Sequence, residues 1–174
     1  MSFQSYGFLL LLLPVTLLAY SLLLRYSLMA AKIILLIASI IFYGWNTPAS
    51  LLVPVAGTLV SYFSAKLIQK KKNRTIIVSA LLWHIIVLCF FKYVQILPLP
   101  LGLSFFTFQQ LWFLIEVWRD NTRAVNVLDY FIFSLFFPTV SSGPILRHDE
   151  LLPQLNSIQS PSWEYRSSGL YALA

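Results

Sequence analysis

Aspartate and glutamate are absent from this sequence until Glu116, and all six acids fall at or beyond that position. Cysteine occurs once, as Cys89, inside an apolar run. A lone cysteine excludes an internal disulfide, and no metal-ligand spacing includes it. No glycine-rich phosphate loop is present. Charged residues make up only 10% of the 174 residues, against 59% hydrophobic ones. Soluble domains carry roughly 25% charged residues, so an ordinary water-facing surface cannot be built from this composition. The basic residues before Glu116 are Arg25, Lys32, five between Lys66 and Arg74, and Lys92. The net charge of +6 would suit nucleic acid. Placement argues otherwise, because positive charge that fences apolar segments suits anionic lipid headgroups and topology control. The lipid bilayer is the expected partner, and nucleic acid is not.

What is present is a series of uncharged stretches near the roughly 20 residues that cross a bilayer as helix. The first span is Tyr6 to Leu24, with Pro14 inside it and Arg25 closing it. A cleavable signal peptide needs a positive n-region; Met1 to Gly7 has no charged side chain, so a permanent span is expected. The second runs from about Ser27 to Trp45, with Lys32 snorkelling to the headgroups. Residues 43–48 form a turn with interface aromatics and Pro48. The third span is Ala49 to Ala65, followed by the basic loop Lys66 to Arg74. The fourth is Thr75 to Phe91. Five basic residues at 66–74 against none at 46–48 place that loop in the cytoplasm and the N-terminus outside.

The second half reads differently. Pro98, Pro100 and Gly102 break the chain between 95 and 102. Ser104 to Trp118 is helical, and Phe105, Gln109, Trp112 and Glu116 share one face. A polar stripe on a membrane helix should face protein or a water-filled cavity. Leu128 to Val140 holds Asp129 and is short for a span, and Pro138, Gly143 and Pro144 interrupt the backbone. A re-entrant or strongly tilted pair is expected, with its irregular backbone buried in protein. Beyond Glu150 the chain is more polar and reads as interfacial. The expected fold is all-α: a multi-pass transmembrane helical bundle, four helices over 1–94, then broken or re-entrant helices over 95–174.

Few residues can carry chemistry. His84, mid-span, reads as a general base or proton relay. The preferred reading is a neutral histidine bonded to a neighbouring helix, since no carboxylate lies in its span. His148, beside Arg147, Asp149 and Glu150, reads as part of an interfacial charge network. Arg147 follows a Gly-Pro break and is a candidate for holding a phosphate or carboxylate, or for pairing with a nearby acid. Ser104, Gln109, Glu116 and Arg147 are the substrate-passage candidates. No catalytic set and no metal site is read from spacing. Physics alone leaves a channel, a transporter and a membrane-embedded enzyme open.

The second half also carries motifs. Pro100-Leu101-Gly102-Leu103-Ser104-Phe105-Phe106-Thr107-Phe108-Gln109 is one. Phe136-Phe137-Pro138, followed by Ser142-Gly143-Pro144-Ile145 and Arg147, is another. Leu151-Leu152-Pro153-Gln154-Leu155 follows in order, and Phe90-Phe91-Lys92-Tyr93, Phe42-Tyr43-Gly44-Trp45 and Leu128-Asp129-Tyr130 support them. This set resembles the membrane-bound O-acyltransferases, in the branch typified by alginate O-acetyltransferase. The resemblance implies a ring of helices around a thinned core. It implies transfer of an acyl group, here acetyl, to hydroxyls of an exported polysaccharide on the other face. The donor would be acetyl-CoA or an acyl-carrier protein, with no bound cofactor. An extracytoplasmic acyltransferase partner and an acyl-donor carrier would assist, and the site would be the inner membrane. Pro138-Thr139 with Ser142-Gly143-Pro144 is also similar to D-alanyl transferases of teichoic acids. Trp118 stands where tyrosine is usual, and Glu116 where aspartate is. Family members are more than twice as long, and their catalytic histidine lies well downstream of the arginine, where neither His84 nor His148 stands. The chain is expected to be the N-terminal portion, with the catalytic histidine beyond Ala174 and no activity alone. A non-enzymatic transport or scaffold protein is the alternative of another class.

The orientation is testable by cysteine labelling in a Cys89→Ala background. Asn73→Cys should react only from the cytoplasmic side and Asn46→Cys only from outside. The reverse pattern inverts the topology.

Overall fold

The computed structural model describes residues 6–45, 48–94, 100–119, 126–137 and 148–157. Among these residues the regular structure is all helical. A π-helical turn, Phe8–Leu12, leads into α1, Leu13–Leu24; then come α2, Leu28–Gly44, and a 3-10 turn, Pro48–Leu51. Next are α3, Leu52–Lys71, and α4, Arg74–Cys89, which a second π-helical turn prolongs to Val94. The remaining helices are α5, Leu103–Trp118; α6, Val127–Leu135; and α7, His148–Ser157.

Local chemistry sets the boundaries. Ser27, in extended backbone, caps α2 by accepting from Ala30 N–H at 3.4 Å. Asn73 does the same for α4 through Thr75 N–H at 2.9 Å. The expected basic loop is therefore mostly helix. Lysine is a good helix former, so α3 continues through Lys71 and only Lys72 and Asn73 turn the chain. Lys72 takes the left-handed conformation, φ 40°, and its N–H bonds to Ile68 O at 2.8 Å. Gly102, φ 68°, opens α5 in the same region of backbone space, where an L side chain is disfavoured. α6 stops at Leu135, and Phe136 leaves the helical region at φ −58°, ψ 103°. α7 was not expected from the sequence: Pro153 sits inside it, yet Leu151, Leu152 and Leu155 bury one face.

α1 packs on α2, α3 on α4 and α5, and α6 lies against α2, α3 and α7. Large apolar side chains are exposed while polar ones are buried beside the apolar core. Leu10, Leu18, Met29, Phe63, Leu82 and Ile86 are exposed, whereas Thr58, Ser61, His84, Thr107, Gln110 and Ser134 are buried. Two helical stretches, Leu52–Lys71 and Arg74–Val94, are long and apolar enough to cross a membrane, and Leu10–Leu24 and Leu28–Gly44 are shorter apolar helices.

The interior has two apolar clusters. One gathers Tyr62, Ile68, Phe113, Leu114, Tyr130 and Phe133 from α3, α5 and α6. The other gathers Phe8, Phe42, Leu103, Phe106, Leu135 and Phe137. Gly57 lets α3 approach α5 and α4 closely. A Cβ there would lie 2.7 Å from Phe106 Cε1 and 3.4 Å from His84 Cε1. Gly57→Ala should destabilise the bundle by about 1–3 kcal/mol, read as a lowered unfolding midpoint in detergent. Phe106→Leu should recover part of that loss; equal midpoints for Gly57→Ala and the parent would refute the close approach.

Candidate functional site

A group of the buried polar residues lies between the two apolar clusters, at one level of the bundle. On α3, Thr58 and Ser61 precede Tyr62 and Ala65; on α5, Gln109 and Gln110 separate Phe106 from Phe113. On α6, Ser134 separates Phe133 from Leu135, and on α4 His84 follows Ala80. His84 stands ten residues from Arg74, at the start of α4. At 1.5 Å per residue that is about 15 Å, half the thickness of a hydrocarbon core.

These side chains satisfy one another. Gln110 Nε2–H donates to Ser134 Oγ at 2.7 Å. Ser134 and Thr58 hydroxyls meet at 2.7 Å, and Thr58 donates to Pro54 O at 2.8 Å. Thr58's single proton is therefore committed, which makes Ser134 the donor to Thr58. Tyr130 O–H donates to Gln110 Oε1. The chain runs Tyr130, Gln110, Ser134, Thr58, Pro54, each member donating to the next. Beside it, Ser61 Oγ and His84 Nε2 meet at 2.6 Å, with the imidazole ring 6.2 Å from Phe106. His84 is thus a buried histidine bonded to a neighbouring helix.

The four passage candidates are placed differently. Gln109 is buried and donates through Nε2 to Phe133 O at 3.1 Å, tying α5 to α6. Ser104 lies partly buried in the first turn of α5. Glu116 keeps 14% side-chain exposure and approaches Arg119 at 3.8 Å. Arg147 lies outside the described residues, as do 138–146 of its motif. Phe105, assigned to the same face as Gln109 and Glu116, is instead 42% exposed. The buried face of α5 runs through Leu103, Phe106, Gln110, Phe113, Leu114 and Val117. Gln110 was missed because the stripe was phased on Phe105 and Glu116.

Lys32 does not snorkel outward. Its Nζ reaches Asp129 Oδ1 at 2.5 Å and Asn156 Oδ1 at 2.6 Å, joining α2, α6 and α7. The carboxylate on α6 offers a stronger partner than headgroup water, and two oxygens share the ammonium. In the sequence Asp129 stands out as a charge in a short apolar segment and as part of the Leu128-Asp129-Tyr130 motif, and neither feature names Lys32 as its partner. Ser39 on α2 accepts from Phe137 N–H at 3.3 Å, holding the chain where α6 ends. His148 packs among Trp112, Phe113 and Phe133, with ring centroids 5.6 to 6.1 Å away, and its Nδ1 lies 4.0 Å from Asp149 Oδ1. No cluster of His, Cys, Asp or Glu that could hold a metal occurs among the described residues.

An apolar exterior around a hydrogen-bonded interior defines a class, the helical bundle built for an apolar surrounding. Comparison with known proteins narrows it. The chain is 30% identical, over 90% of its length, to the probable alginate O-acetylase AlgI of Pseudomonas aeruginosa, covering 35% of that protein. It is 28% identical over 91% of its length to the peptidoglycan O-acetyltransferase of Helicobacter pylori, covering 39% of it. A shorter stretch, 35% of the chain, is 33% identical to the teichoic acid D-alanyltransferase of Lacticaseibacillus rhamnosus, covering 15% of it. No family model matches the chain, and no solved structure matches it. The chain is therefore a homologue, over nine tenths of its length, of proteins named alginate O-acetylase and peptidoglycan O-acetyltransferase. It spans little more than a third of the length of these relatives.

The Lys32–Asp129 pair makes a sharp prediction. Lys32→Met strands a carboxylate and should cost about 3–5 kcal/mol, read by denaturant unfolding in detergent. Lys32→Met with Asp129→Leu should recover most of it. A double variant no more stable than the single one would show that the two residues are not coupled.

Proposed function

We propose that this chain forms part of a membrane-embedded O-acyltransferase that moves an acetyl group to hydroxyls of an exported polysaccharide. The observation that carries the reading is its similarity, over nine tenths of its length, to proteins named for O-acetylation of alginate and of peptidoglycan. The exposed apolar side chains of the helices support it. A polar layer about 15 Å from the basic end of α4 is affordable in lipid only where helices shelter it.

On this reading the helices over 1–94 span the inner membrane, with the N-terminus outside and 66–74 in the cytoplasm. Acetyl-CoA or an acyl-carrier protein supplies the acyl group as a substrate. Ser104, Gln109, Glu116 and Arg147 line the passage or brace it, and an extracytoplasmic acyltransferase completes transfer. The acyl-transferring histidine belongs to sequence beyond the 136–147 motif and outside this chain. D-alanyl transfer to teichoic acid is the second reading, favoured by the short match to the D-alanyltransferase.

The test uses a protein carrying this chain at the length of its relatives. It should move labelled acetyl from acetyl-CoA to a polysaccharide acceptor in membranes. Arg147→Ala should lower that rate by about a hundredfold, the order expected when one positioned donor is removed. Labelled D-alanine transferred in place of acetyl would establish the second reading. Full acetyl transfer after replacement of the downstream histidine would refute the mechanism.

A further inference from the structure

The outward face of α4 carries a feature that acyl transfer does not use. Arg74, Val78, Leu82 and Ile86 recur every four residues and so lie along one line of the helix. All four are exposed, Ile86 at 64%. Arg74, Thr75, Val78, Ser79 and Leu82 line an open groove. Lys70 and Lys71, both exposed, end α3 just before it. One end of the groove is thus cationic and hydroxylated, and the other continues as bare hydrocarbon. From Arg74 to Ile86 is twelve residues, about 18 Å, close to the roughly 15 Å of one leaflet. Among the described residues no carboxylate pairs with Arg74.

We propose that this groove holds a phospholipid of net negative charge, with its phosphate on Arg74 and Thr75 and one acyl chain along Val78, Leu82 and Ile86. The assignment rests on the membrane reading above. A soluble phosphate would use the Arg74 end alone and leave the apolar line unexplained. An acidic protein would have to reach past the level of His84, where only lipid has access. Lys70 and Lys71 raise the local potential and favour an anionic headgroup over a zwitterionic one.

The experiment is native mass spectrometry of the full chain, purified in detergent and mixed with equal phosphatidylglycerol and phosphatidylcholine. Phosphatidylglycerol should be retained in preference. Arg74→Gln should reduce that retention about fivefold, the effect of one basic residue at an anionic surface, and Thr75→Val should reduce it less. Arg25→Gln, which removes an equal exposed charge elsewhere, should leave it unchanged. Equal losses from Arg25→Gln and Arg74→Gln would overturn the groove in favour of diffuse surface charge. Displacement of phosphatidylglycerol by millimolar inorganic phosphate would overturn the lipid assignment. Failure of the membrane reading looks different: the chain would stay dissolved without detergent and retain neither lipid.

Discussion

A buried hydroxyl, amide or imidazole between helices has no water to fall back on, and an unmet one costs about 1–3 kcal/mol. That constraint organises this bundle. Thr58 and Ser61 on α3, His84 on α4, Gln109 and Gln110 on α5, and Tyr130 and Ser134 on α6 meet at one level. Each fixes a neighbour. Thr58 has one proton and donates it to Pro54, so Ser134 must donate to Thr58 and accept from Gln110. Gln110 is then left with its carbonyl for the Tyr130 phenol. A one-residue slip of α5 or α6 would break several of these bonds together, whereas leucines facing leucines would tolerate it.

The apolar clusters on either side follow from that layer. Tyr130 and Phe133 go one way along α6 and Leu135 the other, with Ser134 between them. Hydrogen bonds of 2.6 to 2.7 Å made by side chains as short as serine and threonine require close backbones. Gly57, one residue before Thr58, provides that room between α3 and His84 of α4 and Phe106 of α5. Outside, the helices turn leucine, isoleucine and phenylalanine away from the bundle. Near-uniform hydrophobicity along α1 and α4 fits two apolar environments, packing within and an apolar surrounding without.

Local features of the fold were legible in the sequence, and long-range ones were not. Uncharged runs located α1 to α4 because their signal is contiguous. Ser27 sits at the expected start of α2, and Trp118 ends α5 where the periodic stretch ended. Boundaries failed where charge was taken for loop: Lys66, Lys70 and Lys71 belong to α3 because their stems tolerate helix and their ammonium groups need only water at one end. α7 was hidden by Pro153 and a polar composition, and its burial depends on partners elsewhere in the chain. His84 was read as bonded to a neighbouring helix, and it is, but Ser61 was not nameable as its partner. Lys32 shows the limit plainly, since its carboxylate is 97 positions away. A lysine near a span end looks the same whether it snorkels or turns inward, and only the packing of α6 on α2 decides.

That lysine also bears on why the bundle holds a charge at all. Desolvating an ammonium and a carboxylate generally costs as much as their attraction returns, so well-packed apolar residues would be as stable. Stability is a poor reason for the pair. Geometry is a better one. α7 presents Leu151, Leu152 and Leu155 to the core, an apolar face that could slide by a turn with little loss. Lys32 Nζ, 2.5 Å from Asp129 and 2.6 Å from Asn156, accepts only one register. The pair therefore anchors the 151–155 motif to α2, on the far side of the 136–147 motif from Ser39, which holds Phe137. Phe137 and Asn156, on either side of residues 138–147 in the sequence, are both tied to α2 by polar contacts that hydrocarbon packing cannot imitate.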